Sequence, residues 1–194
     1  MAVRPRLLVA SLGVAVLVSI VGGYLVSRSD DGDGGADDSV ELDASADPQD
    51  ATIGTNASVE GATLPLVDLE TNGGEVLSTA DLLGQPLIVN VWFSTCGPCK
   101  RELPEFAAVQ TELGDRIRFV GVNPYDTPGT NESFARERGV GYELLRDPGS
   151  TFVDAVGISA FPVTLFVAAD GTIVRQTGVL DEADLRTYAE ELLT

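Results

Sequence analysis

Three stretches of different character follow one another when the chain is read for its apolar and polar positions. No charged residue interrupts the apolar run from Leu7 to Val26, which at 1.5 Å rise per residue is long enough to cross about 30 Å of hydrocarbon. Residues 1–28 are therefore expected to form an N-terminal transmembrane anchor. Arg4 and Arg6 precede the run and a dense acidic stretch follows Arg28, so the positive-inside rule puts the N-terminus in the cytoplasm and everything later outside. A cleaved signal peptide is the competing reading. Against it, the run exceeds an ordinary signal core, no clear A-x-A site follows, and no cysteine lies there to carry a lipid. Residues 29–60 are mostly aspartate, glycine, alanine and serine, with too little apolar surface to offset the entropy of ordering. They read as an acidic disordered linker that like charges keep extended.

From residue 61 to 194 short apolar runs alternate with helix-like stretches, and one folded domain is expected. Leu64 to Leu69 reads as a strand, Thr71 to Gly74 as a turn, and Ser78 to Asp81 as a capping box opening one or two helical turns. Leu87 to Phe93 is mostly apolar on both alternations, as a central strand buried on both faces must be. Pro98 to about Leu113 has helical spacing in Leu103, Phe106, Val109 and Leu113, with Pro104 expected to kink it and Gly114 at the C-cap position. Ile117 to Val122 reads as a second apolar strand, Glu132 to Arg138 as a helix closed by Gly139, and Thr151 to Val156 as another before Gly157. Val163 to Ala168 and Thr172 to Thr177 form a hairpin across Ala169-Asp170-Gly171, and Asp181 caps a last helix through Leu193. This order implies an α/β fold with a mixed central sheet flanked by helices.

Composition narrows the chemistry. With 30 acidic against 12 basic residues and a formal charge of −18, the chain repels polyanions, which sets nucleic acid aside. It has no histidine, so imidazole-dependent triads and the commonest metal ligand are missing. Its only cysteines are Cys96 and Cys99, too few for a stapled mini-scaffold or a four-ligand zinc site within one chain, so no metal is expected.

That pair follows the central strand and opens the next helix. Unpaired N–H groups and the positive end of the helix dipole favour the thiolate of the first sulfur, which makes Cys96 the nucleophile. Cys99, one turn on, is placed to attack a mixed disulfide at Cys96 and is the resolving thiol. Gly97 and Pro98 lie between them, and Pro98 suits the first turn, where its missing N–H is not needed. The competing readings are a structural disulfide, which across so small a loop would restrict little of the unfolded chain, and a metal shared by two copies of the chain. Glu102, three residues past Cys99, shares its helix face. There it either relays protons to the thiol or is simply a solvated surface glutamate. A carboxylate so placed would also raise the thiol pKa.

Val89-Asn90-Val91-Trp92-Phe93-Ser94-Thr95-Cys96-Gly97-Pro98-Cys99-Lys100-Arg101-Glu102-Leu103-Pro104 resembles the active-site segment of the thioredoxin superfamily. Its C-x-x-C-x-x-E-x-P extension resembles the membrane-anchored, extracytoplasmic TlpA-like branch. Similarity continues through Gly121 to Asn123, Asp147-Pro148, Gly157 to Thr164 and Asp170-Gly171. The resemblance implies a thioredoxin-like fold, with no cofactor beyond a redox-active Cys96–Cys99 disulfide. It makes Pro162 a cis-proline facing the cysteines, with Phe161 and Pro162 binding an extended substrate segment by strand addition. Without it, Pro162 is equally an ordinary proline starting an edge strand. The resemblance also places Glu102 at the site. Two departures stand out. Asn90 replaces the acidic residue of thioredoxins themselves and cannot exchange protons, and Thr95 replaces a tryptophan, removing a flat aromatic surface from the rim. Trp92 reads as core.

The implied activity is thiol-disulfide exchange on protein substrates, in a monomer working with a membrane electron-transfer partner on the outer face of a cytoplasmic membrane. A reductant of protein disulfides, acting on apocytochrome c thiols before haem attachment as some relatives do, is the first reading, because Gly-Pro between the cysteines resembles the reducing members. A disulfide-installing oxidant is the second. A non-catalytic binding or chaperone domain is the third, and the intact cysteine pair argues against it. A peroxidase on a related fold would need a threonine where Phe93 stands.

Overall fold

A computed structural model of the chain describes residues 56–194; the expected anchor and nearly all of the expected linker lie outside the described residues. Among the described residues no helix is long and apolar enough to cross a membrane. In chain order the elements are β1 (Asp68–Thr71), β2 (Val76–Ser78), a 3-10 turn (Thr79–Leu82), β3 (Leu87–Val91), α1 (Gly97–Leu113), β4 (Arg118–Asn123), α2 (Pro128–Arg136), β5 (Glu143–Arg146), α3 (Thr151–Val156), β6 (Val163–Val167), β7 (Ile173–Thr177) and α4 (Glu182–Glu191). The strands form one mixed sheet in the order β2-β1-β5-β4-β3-β6-β7. β3, β4 and β5 run parallel, and β6 pairs antiparallel with β3.

β3 is buried along its whole length, and its alternation splits the core. Leu87, Val89 and Val91 point into an apolar cluster with Val120, Val122, Leu165 and the α3 residues Phe152, Val153 and Val156. On the opposite face Ile88 packs with Phe106, Val109 and Leu113 of α1 and with Leu185 and Ala189 of α4. Asn90 shares that second face and is also buried. Its partner across the β3–β6 pair is Thr164, so the register alone sets two polar side chains together beneath α1.

Local chemistry fixes most boundaries. Ser78 accepts from the Ala80 N–H while Asp81 accepts from the Ser78 N–H, a complete capping box. Asp181 caps α4 by accepting from the Asp184 N–H at 2.9 Å. Gly171 turns the β6–β7 hairpin at φ +92°, a conformation that only glycine adopts without strain.

Several boundaries differ from the sequence reading. The single strand expected over 64–69 is divided. Leu64 bonds to the Gly171 carbonyl beside β7, whereas β1 pairs with β5 on the far side of the sheet. Pro65, with no N–H to donate, stands where the chain leaves one edge for the other. α1 runs through Pro104 without a break. Gly114 does occupy its C-cap, but at φ −61°, because the chain continues right-handed into a turn in which Arg116 and Ile117 donate to the Leu113 carbonyl. α2 starts at Pro128, capped by Thr127, earlier than the apolar spacing suggests. β5 has no counterpart in the sequence reading: only Leu145 is fully buried, and ion pairs from Arg118 to Glu143 and from Arg146 to Glu70 hold its polar ends. Residues 56–60, read as the end of the linker, lie against the domain. Asn56 is buried, and the Val59 N–H donates to the Gln176 side chain at 3.0 Å.

Candidate active site

Cys96 is the N-cap of α1, and the Cys99 N–H donates to its sulfur at 3.2 Å. The two residues are joined by a disulfide with Cα atoms 5.3 Å apart. Cys96 keeps 6% of its surface exposed and Cys99 none. Of the two, Cys96 at the helix start is the one that keeps some exposed surface. Gly97 beside it is exposed and Pro98 half-buried in the first turn. Cys96 and Cys99 pack with Trp92, Leu103 and Ala135, and Phe93, Phe134 and Phe161 lie against that cluster. Trp92 is core, its ring stacked 5.6 Å from Phe134.

The Phe161–Pro162 peptide bond is cis, the isomer that only X-Pro bonds adopt at modest cost. Pro162 is buried at the head of β6 and is not an edge-strand residue, since β6 lies between β3 and β7. Asn56 shapes the loop before it. Its side-chain oxygen accepts from the N–H groups of Ser159 (2.7 Å) and Ala160 (2.9 Å), and its nitrogen donates to the Ala160 carbonyl (2.9 Å).

Glu102 is not a solvated surface residue: it is 1% exposed. Its carboxyl accepts from Asn90 Nδ2 at 2.9 Å and from the Leu180 N–H at 3.4 Å. Asn90 Nδ2 also donates to Thr164 Oγ1 at 3.1 Å. Burial pushes the Glu102 pKa up to about 8, against the smaller opposing effects of the Asn90 and Leu180 hydrogen bonds. The group is therefore neutral over most of the physiological range and can give up a proton just above it. Burial also drives the Tyr142 hydroxyl far above its ordinary range, and the nearby Glu102 adds to the effect. That hydroxyl and the Trp92 indole N–H are buried with no hydrogen-bond partner among the described residues.

Sequence reasoning singled out Cys96, Cys99, Glu102, Phe161 and Pro162, and the structure brings both cysteines and Phe161 into one cluster with Glu102 a turn further along the same helix. It missed Asn56, Thr164, Tyr125 and Asp126. Asn90 and Thr164 had a signal available, since single polar residues in two otherwise apolar strands call for a shared partner. Asn56 acts over more than 100 residues, and although a local turn on Asn123 shapes the loop of Tyr125 and Asp126, their contacts with Ser94 and the rings are long-range.

A model of the AhpC/TSA family matches residues 61–176. The chain is 35% identical over 140 residues to the thiol:disulfide interchange protein HelX of Rhodobacter capsulatus, covering 70% of this chain and 78% of HelX. It is 27% identical over 137 residues to the thiol-disulfide oxidoreductase ResA of Bacillus subtilis, covering 70% of this chain and 76% of ResA. Among solved structures, a secreted Mycobacterium tuberculosis disulfide oxidoreductase homologous to E. coli DsbE superposes with a TM-score of 0.58 at 22% identity. That match covers 64% of this chain and 95% of the other, and it shows the shared fold.

Proposed function

The chain belongs to the thioredoxin-like AhpC/TSA family, and from that premise we propose that it reduces protein disulfides outside the cytoplasm, held to the membrane by its N-terminal segment, with Cys96 and Cys99 as the redox couple. The observation that carries the reading is the Cys99 N–H aimed at the accessible sulfur of Cys96, at the first turn of a helix running from Gly97 to Leu113. In the reduced protein that N–H and the helix dipole favour a Cys96 thiolate.

The thiolate attacks one sulfur of a substrate disulfide. The substrate S–S bond breaks, a mixed disulfide with Cys96 forms, and the other substrate sulfur leaves as a thiolate that takes up a proton. Cys99, once deprotonated, attacks the Cys96 sulfur, restores the Cys96–Cys99 disulfide and releases the second substrate thiol. Two electrons have passed to the substrate, and a dithiol donor at the membrane returns them to the pair. Glu102 exchanges the proton of buried Cys99, accepting it in the ionised fraction that grows as pH approaches its pKa of about 8, and Phe161 and Pro162 hold the substrate backbone. Apocytochrome c, the substrate class suggested by the TlpA-like resemblance, fits a cysteine-bearing segment in extended form.

The test uses the full-length chain in mild detergent, with insulin disulfides as substrate. Cys96→Ser is expected to drop reduction to the uncatalysed rate, and Cys99→Ser to accumulate a mixed disulfide visible on non-reducing gels. Undiminished turnover by Cys96→Ser would sink the proposal. The reduction potential of the couple fixes direction: a value well below that of the substrate disulfides is required of a reductant.

A further inference from the structure

Thr95, where the family resemblance implies a tryptophan before the nucleophile, predicts a rim without that flat aromatic surface. The fold supplies aromatic surface by another route. Phe93 lies between β3 and α1, Tyr125 follows β4, and Phe161 precedes the cis-proline. Ring centroids are 5.1 Å apart for Phe93–Tyr125, 5.1 Å for Phe93–Phe161 and 5.7 Å for Tyr125–Phe161, all edge-to-face. Phe93 and Phe161 are half-buried against the cluster that contains both cysteines. Tyr125 is 58% exposed.

A single exposed ring needs no explanation, but this one is held in place. Asn123 Oδ1 accepts from the N–H groups of Tyr125 (3.1 Å) and Asp126 (2.9 Å). The Asp126 carboxylate in turn accepts from Asn123 Nδ2 (2.7 Å), the Ser94 N–H (2.6 Å) and Ser94 Oγ (2.6 Å). The loop carrying Tyr125 is thereby tied to the residue that follows Phe93 and stands two before Cys96. An aromatic group fixed before binding loses little entropy on contact. The other large exposed apolar residues among the described ones are Leu66, Val76 and Val174, and none belongs to a ring cluster.

We infer that Phe93, Tyr125 and Phe161 form a preorganised aromatic rim beside Cys96 that selects substrates with an aromatic or large aliphatic residue flanking the target cysteine. The inference rests on the thiol-disulfide reading above, because the occupant is the polypeptide joined to Cys96 in the mixed disulfide. Its cysteine is fixed at the sulfur, so the residues that can lie on the rim are its immediate neighbours. None of the three rim side chains is charged, so the complement is apolar, and edge-to-face ring contacts give it direction.

The experiment compares two disulfide-bridged peptides, identical except for phenylalanine or serine beside the reactive cysteine, as substrates of the reduced full-length chain in mild detergent. The wild-type protein is expected to favour the phenylalanine peptide about 10-fold in kcat/KM, the size that one or two aromatic contacts supply. Tyr125→Ala is expected to bring the ratio down to about 2-fold, while Tyr125→Phe retains it. Val174→Ser, at an exposed position of β7, leaves the ratio as it was. A wild-type ratio near one, or a ratio that Tyr125→Ala does not change, overturns the inference while leaving disulfide reduction intact. Failure to reduce either peptide overturns the oxidoreductase reading itself and the inference with it. If Tyr125→Ala instead dissociates a dimer seen by analytical ultracentrifugation, with the ratio unmoved, the rim belongs to a second copy of the chain and the inference falls.

Discussion

Glu102 shows how far one buried carboxyl can shape behaviour. Its pKa stands at about 8 in the fold against 4.5 as the ordinary value, so the folded state holds a proton that the unfolded chain has already lost between those limits. Stability from this group is therefore full below about pH 4.5, declines as pH rises, and is lost above about pH 8, a loss of a few kcal/mol. Glu102→Gln removes the ionisation and keeps one of the two acceptor oxygens, so either Asn90 Nδ2 or the Leu180 N–H loses its partner. In urea unfolding of the oxidised full-length chain, wild-type stability should fall between pH 5 and pH 9 while that of the variant loses this decline. Equal pH dependence of the two would remove Glu102 as the titrating group. The same substitution should flatten the pH profile of disulfide exchange, because the acceptor for the Cys99 proton is gone.

At the level of elements, the site is a meeting of loops held by strands. β3 ends just before Phe93, and β6 begins just after the cis-proline. The antiparallel pairing of Val91 with Val163 therefore sets the approach of the cysteine helix to the Phe161 loop. Asn56 adds the third support, since its side chain makes three hydrogen bonds to the Ser159–Ala160 backbone. Asn56→Ala should leave two loop N–H groups without their acceptor and cost about 1–3 kcal/mol. Hydrogen exchange at Ser159 and Ala160 is expected to quicken while β3 amides stay protected, and unchanged exchange there would show that the loop holds its own shape. The residue also joins the first described part of the chain to the active-site loop, so the segment that follows the acidic stretch is part of the site's scaffold.

For the molecule as a whole, the proposed arrangement is a reducing domain tethered outside the membrane by an acidic spacer. Expressed in a bacterial host, the chain should sediment with membranes, resist carbonate extraction, and lose its domain to protease added outside intact spheroplasts. Release as a soluble protein, or protection from that protease, would refute the topology. A net charge of −18 opposes close approach to anionic surfaces.

Much of this was legible in the residues. The central strand was readable because burial on both faces leaves no polar alternation to hide it, the cysteine helix because its apolar spacing and Pro98 mark where it starts, and the hairpin because Gly171 answers a backbone requirement. These are local properties, set by a residue and its near neighbours. β5 was not legible, since ion pairs from other strands hold its polar ends. Nor was the division of residues 61–71 between opposite sides of the sheet. The sequence by itself determined the Cys96/Cys99 spacing, its place at a helix start and the alternation of strands and helices. Only the tertiary structure decided that Glu102 is buried and neutral, that Asn56 braces the cis-proline loop and that Phe93, Tyr125 and Phe161 meet. Each of those depends on contacts between residues far apart in the chain, and desolvation and ring packing arise only once the sheet has brought them together.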